Sequence, residues 1–208
     1  FAFLFCTLMF VGGISYKIIG AILGAALPLG GILIWYIQQP GQILLHDYQL
    51  NRVLSFLNPS DYLLTTYNQQ YNSIMAIGSG MLTGKGLDNN TITSVKGGNF
   101  ISEPQTDFIF AVVGEELGFI GSCVVIGLIL LIVIECLRIA KDARDMRGRL
   151  VASGVAGIIT FQSFVNIGVA TGILPNTGLP LPYGLSSLLS NFICIGLVLN
   201  VGLQRNRR

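Results

Sequence analysis

Apolar residues in this chain gather into long runs separated by short polar links, with one long mixed insert between them. Ile18–Ile37, Phe108–Leu137, Leu150–Leu174 and Leu185–Leu203 each approach or exceed the roughly 20 residues that cross a bilayer as a helix, so each is expected to span. Pro28 and Gly30-Gly31 interrupt the first span, as membrane helices tolerate. Phe1–Gly13 is apolar but too short to cross. It has no charged leader and no small-residue cleavage site, so it reads as the end of a longer helix and not as a signal peptide. The pattern predicts the C-terminal portion of a larger polytopic protein in three regions. Residues 1–37 hold the end of one helix and one full span, 38–107 form a large loop, and 108–208 carry three more spans. Within the loop, "YQLNRVLSFLNP" (48–59) has apolar residues at helical spacing and is expected to lie on the membrane surface, ended by Asn58-Pro59. "YNSIMAIGSGMLTGKGL" (71–87) begins as an apolar helix too short to cross, then opens at Gly78, Gly80, Gly84 and Gly86, and is expected to be re-entrant or to lie flat in the interface.

Composition agrees with this reading. Hydrophobic residues make up 52% and charged residues only 11%, against about 25% charged in soluble domains, and the mean hydropathy is +0.69. An all-α polytopic membrane protein is the fold class expected. Cys6, Cys123, Cys136 and Cys194 all fall in or beside apolar runs, which argues against a disulfide framework, and their spacing matches no metal site. The net charge of +2 is less informative than its placement. Arg138, Lys141, Arg144, Arg147 and Arg149 crowd the link 138–149, which is therefore expected on the cytoplasmic side. Arg205, Arg207 and Arg208 lie two spans later and Lys17 just before the first full span, on the same side. The loop 38–107 and the turn 174–184 then face outward. No nucleic-acid-binding module is visible, and a basic link between spans reads as a topology signal.

The outer loop and its edge hold the candidate chemistry. Lys85 sits among glycines, where open backbone amides and an ammonium together suit phosphate. A solvated turn lysine is the simpler alternative, and "TGKG" lacks the spacing of a Walker motif. Asp107 stands where the apolar run begins. It is either a helix cap, shared with Thr106, or a base tuned between low dielectric and the helix N-terminus. Glu115 and Glu116 follow inside the apolar run, roughly 12–14 Å deeper along a continuous helix. A carboxylate there costs on the order of 2.5–3.5 kcal/mol to insert. The flanking Gly114 and Gly118 therefore suggest a local break or close packing, with Arg52 or Lys85 as partner.

These residues also carry a resemblance. "EPQTDFIFAVVGEELGFIG" (103–121), "NRVLSFLNP" (51–59), "YNSIMAIGSGMLTGKGL" and "NIGVATGILPNTGLPLP" (166–182), with the span after it, resemble in order the signature blocks of the SEDS family (shape, elongation, division and sporulation). Residues 93–107 read more like its RodA branch. The resemblance implies the C-terminal part of a ten-helix bundle in the bacterial cytoplasmic membrane. It also implies a glycosyltransferase that polymerises lipid II onto an undecaprenyl-diphosphate-linked glycan strand. On it, Asp107 is catalytic and the general base of an inverting displacement. Lys85, Arg52 and Lys96, or a divalent cation such as Mg or Mn, neutralise the departing diphosphate. Glu103, Thr106, Glu115 and Glu116 support the site. A class B penicillin-binding protein and the elongation or division machinery are the implied partners. A lipid II flippase is the alternative activity, and a docking scaffold a third. One departure stands out: the family's Pro-Phe-x-Ser-Tyr-Gly turn is shortened here to Pro182-Tyr183-Gly184.

Overall fold

Small residues decide where these helices meet. A computed structural model describes residues 2–13, 16–37, 47–62, 67–87, 94, 108–175 and 185–205. Its helices are α1 (Ala2–Val11), α2 (Tyr16–Ile37), α3 (Asp47–Leu57), α4 (Asn68–Ser79), α5 (Ile109–Asp142), α6 (Met146–Ala170) and α7 (Leu185–Arg205), and a 3₁₀ turn (Pro59–Tyr62) follows α3. The described residues contain no strand.

The central element is α6, against which α1, α4, α5 and α7 all pack. Its segment Ala152–Gly157 is small and buried throughout, which lets neighbouring backbones approach closely where apolar area alone drives little association. A Cβ at Gly157 would stand 3.0 Å from the Thr7 hydroxyl of α1, and one at Gly154 would stand 3.3 Å from Leu8. Toward one end, Cys136 and Ala140 of α5 join Ala152, Val155 and Ala156 of α6 and Val198 of α7 in a buried cluster. At the other end a second cluster unites Ala76 of α4, Phe108, Phe110, Ala111 and Val112, and the last residues of α6.

Outward, the helices are apolar and uncovered. The most apolar stretch of α5 is only 11% buried, whereas the core helix of a soluble protein would be mostly covered. The fold is that of an all-α membrane protein. The four cysteines are free.

Several boundaries differ from expectation. Beyond Leu137, α5 continues through Arg138 and Lys141 to Asp142, and it stops where Ala143 turns extended. The start of α6 is Met146 and not Leu150, so part of the basic link is helical. Its end, at Ala170 and not Leu174, is a Schellman motif. Gly172 adopts φ +78°, its amide bonds the Val169 carbonyl at 3.2 Å, and the Ile173 amide bonds that of Gly168 at 2.8 Å. The shortened Pro182-Tyr183-Gly184 turn lies outside the described residues.

The short helix α4 is fastened to this end of α6 by two fully buried polar side chains. Gln70 Nε2 donates to the carbonyls of Val169 (3.0 Å) and Leu174 (2.7 Å), and Ser73 Oγ donates to that of Ala170 (2.8 Å). These bonds tie α4 to the last turn of α6 and to the turn that follows it, where a helix end leaves carbonyls with spare acceptor capacity. Gln70→Leu removes the donor from two of them. We expect a loss of about 1–3 kcal/mol in stability, read as a lowered unfolding midpoint of the detergent-solubilised full-length protein.

Candidate functional site

The polar insert and the long apolar helix meet at a break. Helix α5 is interrupted at Gly118, whose φ of 67° and ψ of −164° belong to a region open essentially to glycine alone. Helical geometry would bond the Phe119 and Ile120 amides to the Glu115 and Glu116 carbonyls. Instead, the segment Met81–Gly86 enters the gap. Phe119 N–H donates to the Met81 carbonyl at 2.9 Å, and Ile120 N–H to that of Leu82 at 3.2 Å. On the other side of the gap, the Glu115 carbonyl accepts from Lys85 N–H at 2.9 Å, and that of Glu116 from Gly86 N–H at 3.1 Å. These four backbone groups at the break thus find partners, as non-helical backbone at membrane depth requires.

Glycines make this approach possible. A Cβ at Gly80 would lie 2.0 Å from the Gly114 carbonyl oxygen. One at Gly84 would lie 2.1 Å from that of Glu116, and one at Gly118 would lie 2.3 Å from the Gly84 amide nitrogen. The motifs "GSGMLTGKG" (78–86) and "GEELG" (114–118) are therefore two halves of one interlock. Lys85 and Glu115 close it with charge as well: Lys85 Nζ lies 2.7 Å from Glu115 Oε1, with side-chain exposures of 27% and 4%. The pairing answers the insertion cost of Glu115, since buried charges persist where they are partnered.

The interlock holds the first segment of α5, Ile109–Leu117. The other supports of this segment are α4 and the end of α6, and Phe108 at its head is 1% exposed within that packing. The helix-capping position falls on Phe108, which supplies no side-chain cap. Thr106 and Asp107, where a cap is expected, lie outside the described residues.

The structure brings together Lys85, Glu115 and the backbone of Glu116. Asp107, Thr106, Glu103 and Lys96 lie outside the described residues, and Arg52 belongs to α3 with its side chain outside them as well. The phosphate cradle expected from open amides is not formed by residues 84–86. Gly84 N–H donates to the Gly80 carbonyl at 2.8 Å, and the Lys85 and Gly86 amides are taken by Glu115 and Glu116. Among the described residues no three His, Cys, Asp or Glu side chains converge as metal ligands. Sequence reasoning missed Gln70 and Ser73. Their spacing of three places both on one helix face with Ala76, a polar pair on a buried stripe.

A broken membrane helix sealed by a glycine-rich segment defines the class: an all-α membrane protein with an interlocked loop. The chain belongs to the FtsW, RodA and SpoVE family of cell cycle proteins, whose model matches residues 1–207. It is 36% identical over 203 residues to peptidoglycan glycosyltransferase MrdB of Escherichia coli K12, covering 95% of this chain and 51% of that protein. It is 41% identical over 164 residues to stage V sporulation protein E of Bacillus subtilis 168, covering 77% of this chain and 44% of the relative. A probable peptidoglycan glycosyltransferase FtsW of Geobacter metallireducens is 41% identical over 158 residues, covering 74% and 41%. The chain thus spans about half the length of these curated relatives, and the likenesses single out no branch. Among solved structures, a chain of a peptidoglycan synthase complex, described as coordinating polymerization and crosslinking, superposes with a TM-score of 0.69 at 29% identity. That match covers 97% of this chain and 53% of the other.

Proposed function

We propose that this chain is the C-terminal half of a peptidoglycan glycosyltransferase that polymerises lipid II on the outer face of the bacterial cytoplasmic membrane. One observation carries the reading. The two motifs that resemble those of the family form a single interlock, and that interlock supports the helix segment beginning directly after Asp107. A structure built to hold the head of one helix suits a site that must place a proton acceptor.

In the proposed reaction the 4-hydroxyl of the terminal GlcNAc of one lipid II attacks the anomeric carbon of the strand's lipid-linked MurNAc. Asp107 takes the hydroxyl proton as the new C–O bond forms. The bond from the anomeric carbon to the diphosphate breaks, and the diphosphate leaves with that electron pair. One displacement inverts the configuration and needs no covalent nucleophile. Positive charge toward the leaving group is the ordinary electrostatic requirement. We assign it to Arg52 and Lys96, with Lys85 contributing only what its bond to Glu115 leaves over. Apolar grooves between α5 and α6 (Ile129, Phe164) and beside α1 (Phe10, Leu137) have cavity volumes of about 200 and 360 Å³. They suit hydrocarbon tails. The superposition on a chain of a synthase complex supports a transpeptidase partner, which we take to be a class B penicillin-binding protein.

A flippase is the competing reading, since transporters use broken helices whose exposed termini hold substrate or ions. The break at Gly118 does not fit that use. Met81–Gly86 already satisfies its backbone groups. Labelled lipid II incubated with the purified full-length protein and its partner tests the proposal. A ladder of glycan strands is expected, and unchanged lipid II would overturn it.

A further inference from the structure

Residues 85 and 115 are joined twice, once through backbone and once through charge. The Lys85 amide donates to the Glu115 carbonyl at 2.9 Å, and the ammonium of the same lysine meets the carboxylate of the same glutamate at 2.7 Å. Flanking glycines bring the two backbones too close for any other side chain. Glu115 is 3% exposed, so the ammonium is drawn to a fixed point inside the protein and not to solvent. From Glu115 back to Phe108 is seven residues, about 10 Å of helix, and Phe108 is itself packed on α4 and α6.

We infer that Lys85 and Glu115 are positioning residues, whose ion pair latches Met81–Gly86 into the break of α5 and so fixes the helix segment that Asp107 precedes. The inference rests on the reading of Asp107 as base and changes the part assigned to Lys85. A leaving diphosphate in direct contact with this ammonium would stand against the buried carboxylate of Glu115, where like charge opposes it. The latch acts instead through geometry. Misplacement of a reacting group by about 1 Å costs on the order of 100-fold in rate, so a modest loosening of the segment is enough to be felt.

The test uses the full-length protein with its partner and four variants: Glu115→Gln, Lys85→Met, the exchange Lys85→Glu with Glu115→Lys, and Asp107→Asn. Two readouts are taken, lipid II turnover resolved into kcat and KM, and amide hydrogen exchange at Phe119 and Ile120. Each latch substitution is expected to lower kcat roughly 10–100-fold with KM changed by no more than about twofold. Each is also expected to speed exchange at Phe119 and Ile120, which Met81 and Leu82 protect. The charge exchange brings both readouts back toward wild type. If Lys85→Met fails to fold, Glu115→Gln and the exchange variant still decide. A raised KM with kcat retained in Lys85→Met, wild-type turnover in Glu115→Gln, or amide exchange unchanged in both would overturn the latch. Wild-type turnover in Asp107→Asn would instead sink the base assignment, while amide exchange would still report on the latch.

Discussion

Asp107→Asn is expected to slow glycan polymerisation by about 10²–10⁴, the ordinary contribution of a positioned general base. The substitution is chosen because it separates the two roles open to this residue. Asn caps helices as well as Asp does, so a capping role would leave the rate almost untouched. It has no carboxylate to accept a proton, so a base would be lost with little change in shape. The initial rate of incorporation of labelled lipid II, at saturating substrate and with the partner present, is the measurement. A rate within about threefold of wild type would remove Asp107 from the chemistry, since even a weak general base contributes more.

Gly84→Ala should be among the most damaging single changes to the interlock. The added Cβ would stand 2.1 Å from the Glu116 carbonyl oxygen and 2.7 Å from the Gly118 amide, in a backbone already at φ +80°. Neither neighbour is a flexible side chain that can turn away. The segment Met81–Gly86 must leave the break, and the backbone groups of residues 115, 116, 119 and 120 then lose their partners at membrane depth. A stability loss on the order of 3 kcal/mol or more is expected, with polymerisation falling in step. Gly78→Ala, in the same motif, is the comparison. A Cβ there meets nothing within 4 Å, and Ala in a helix is favoured over Gly by roughly 0.5–1 kcal/mol. Unfolding midpoints of the two full-length variants, measured in one detergent, should therefore move in opposite directions. Equal midpoints would mean that the close approach at Gly84 does not hold the fold.

The helices were legible because hydrocarbon imposes length and composition together, and each apolar run met a helix. Their ends were less so. The apolar run through Ile173 and Leu174 hid the end of α6 at Ala170, which Gly172 sets by its left-handed backbone. In α5, good helix formers carried the chain past Leu137 into the basic link, although the apolar signal stopped there. Glycines on both sides of Glu115 and Glu116 announced a break or close packing, and the structure contains both. That Gly80 meets Gly114 and Gly84 meets Gly118 could not be read from the chain, because about thirty residues of loop separate partners whose pairing is set by register alone. The same register turned the apparent phosphate cradle into a backbone splice. Gln70 and Ser73 escaped notice because a polar residue on a short helix carries no sign of the neighbour it faces, whereas here both seal the end of α6.

The full-length protein is expected to make polymer from lipid II at the leaflet faced by residues 38–107. Vesicles carrying the protein with its partner, and labelled lipid II in one leaflet at a time, measure this directly. Glycan strands should form from label in the leaflet facing the loop, with exchange between leaflets no faster than in protein-free vesicles. Rapid exchange of label between leaflets with no strands formed would contradict the account and leave the flippase in its place.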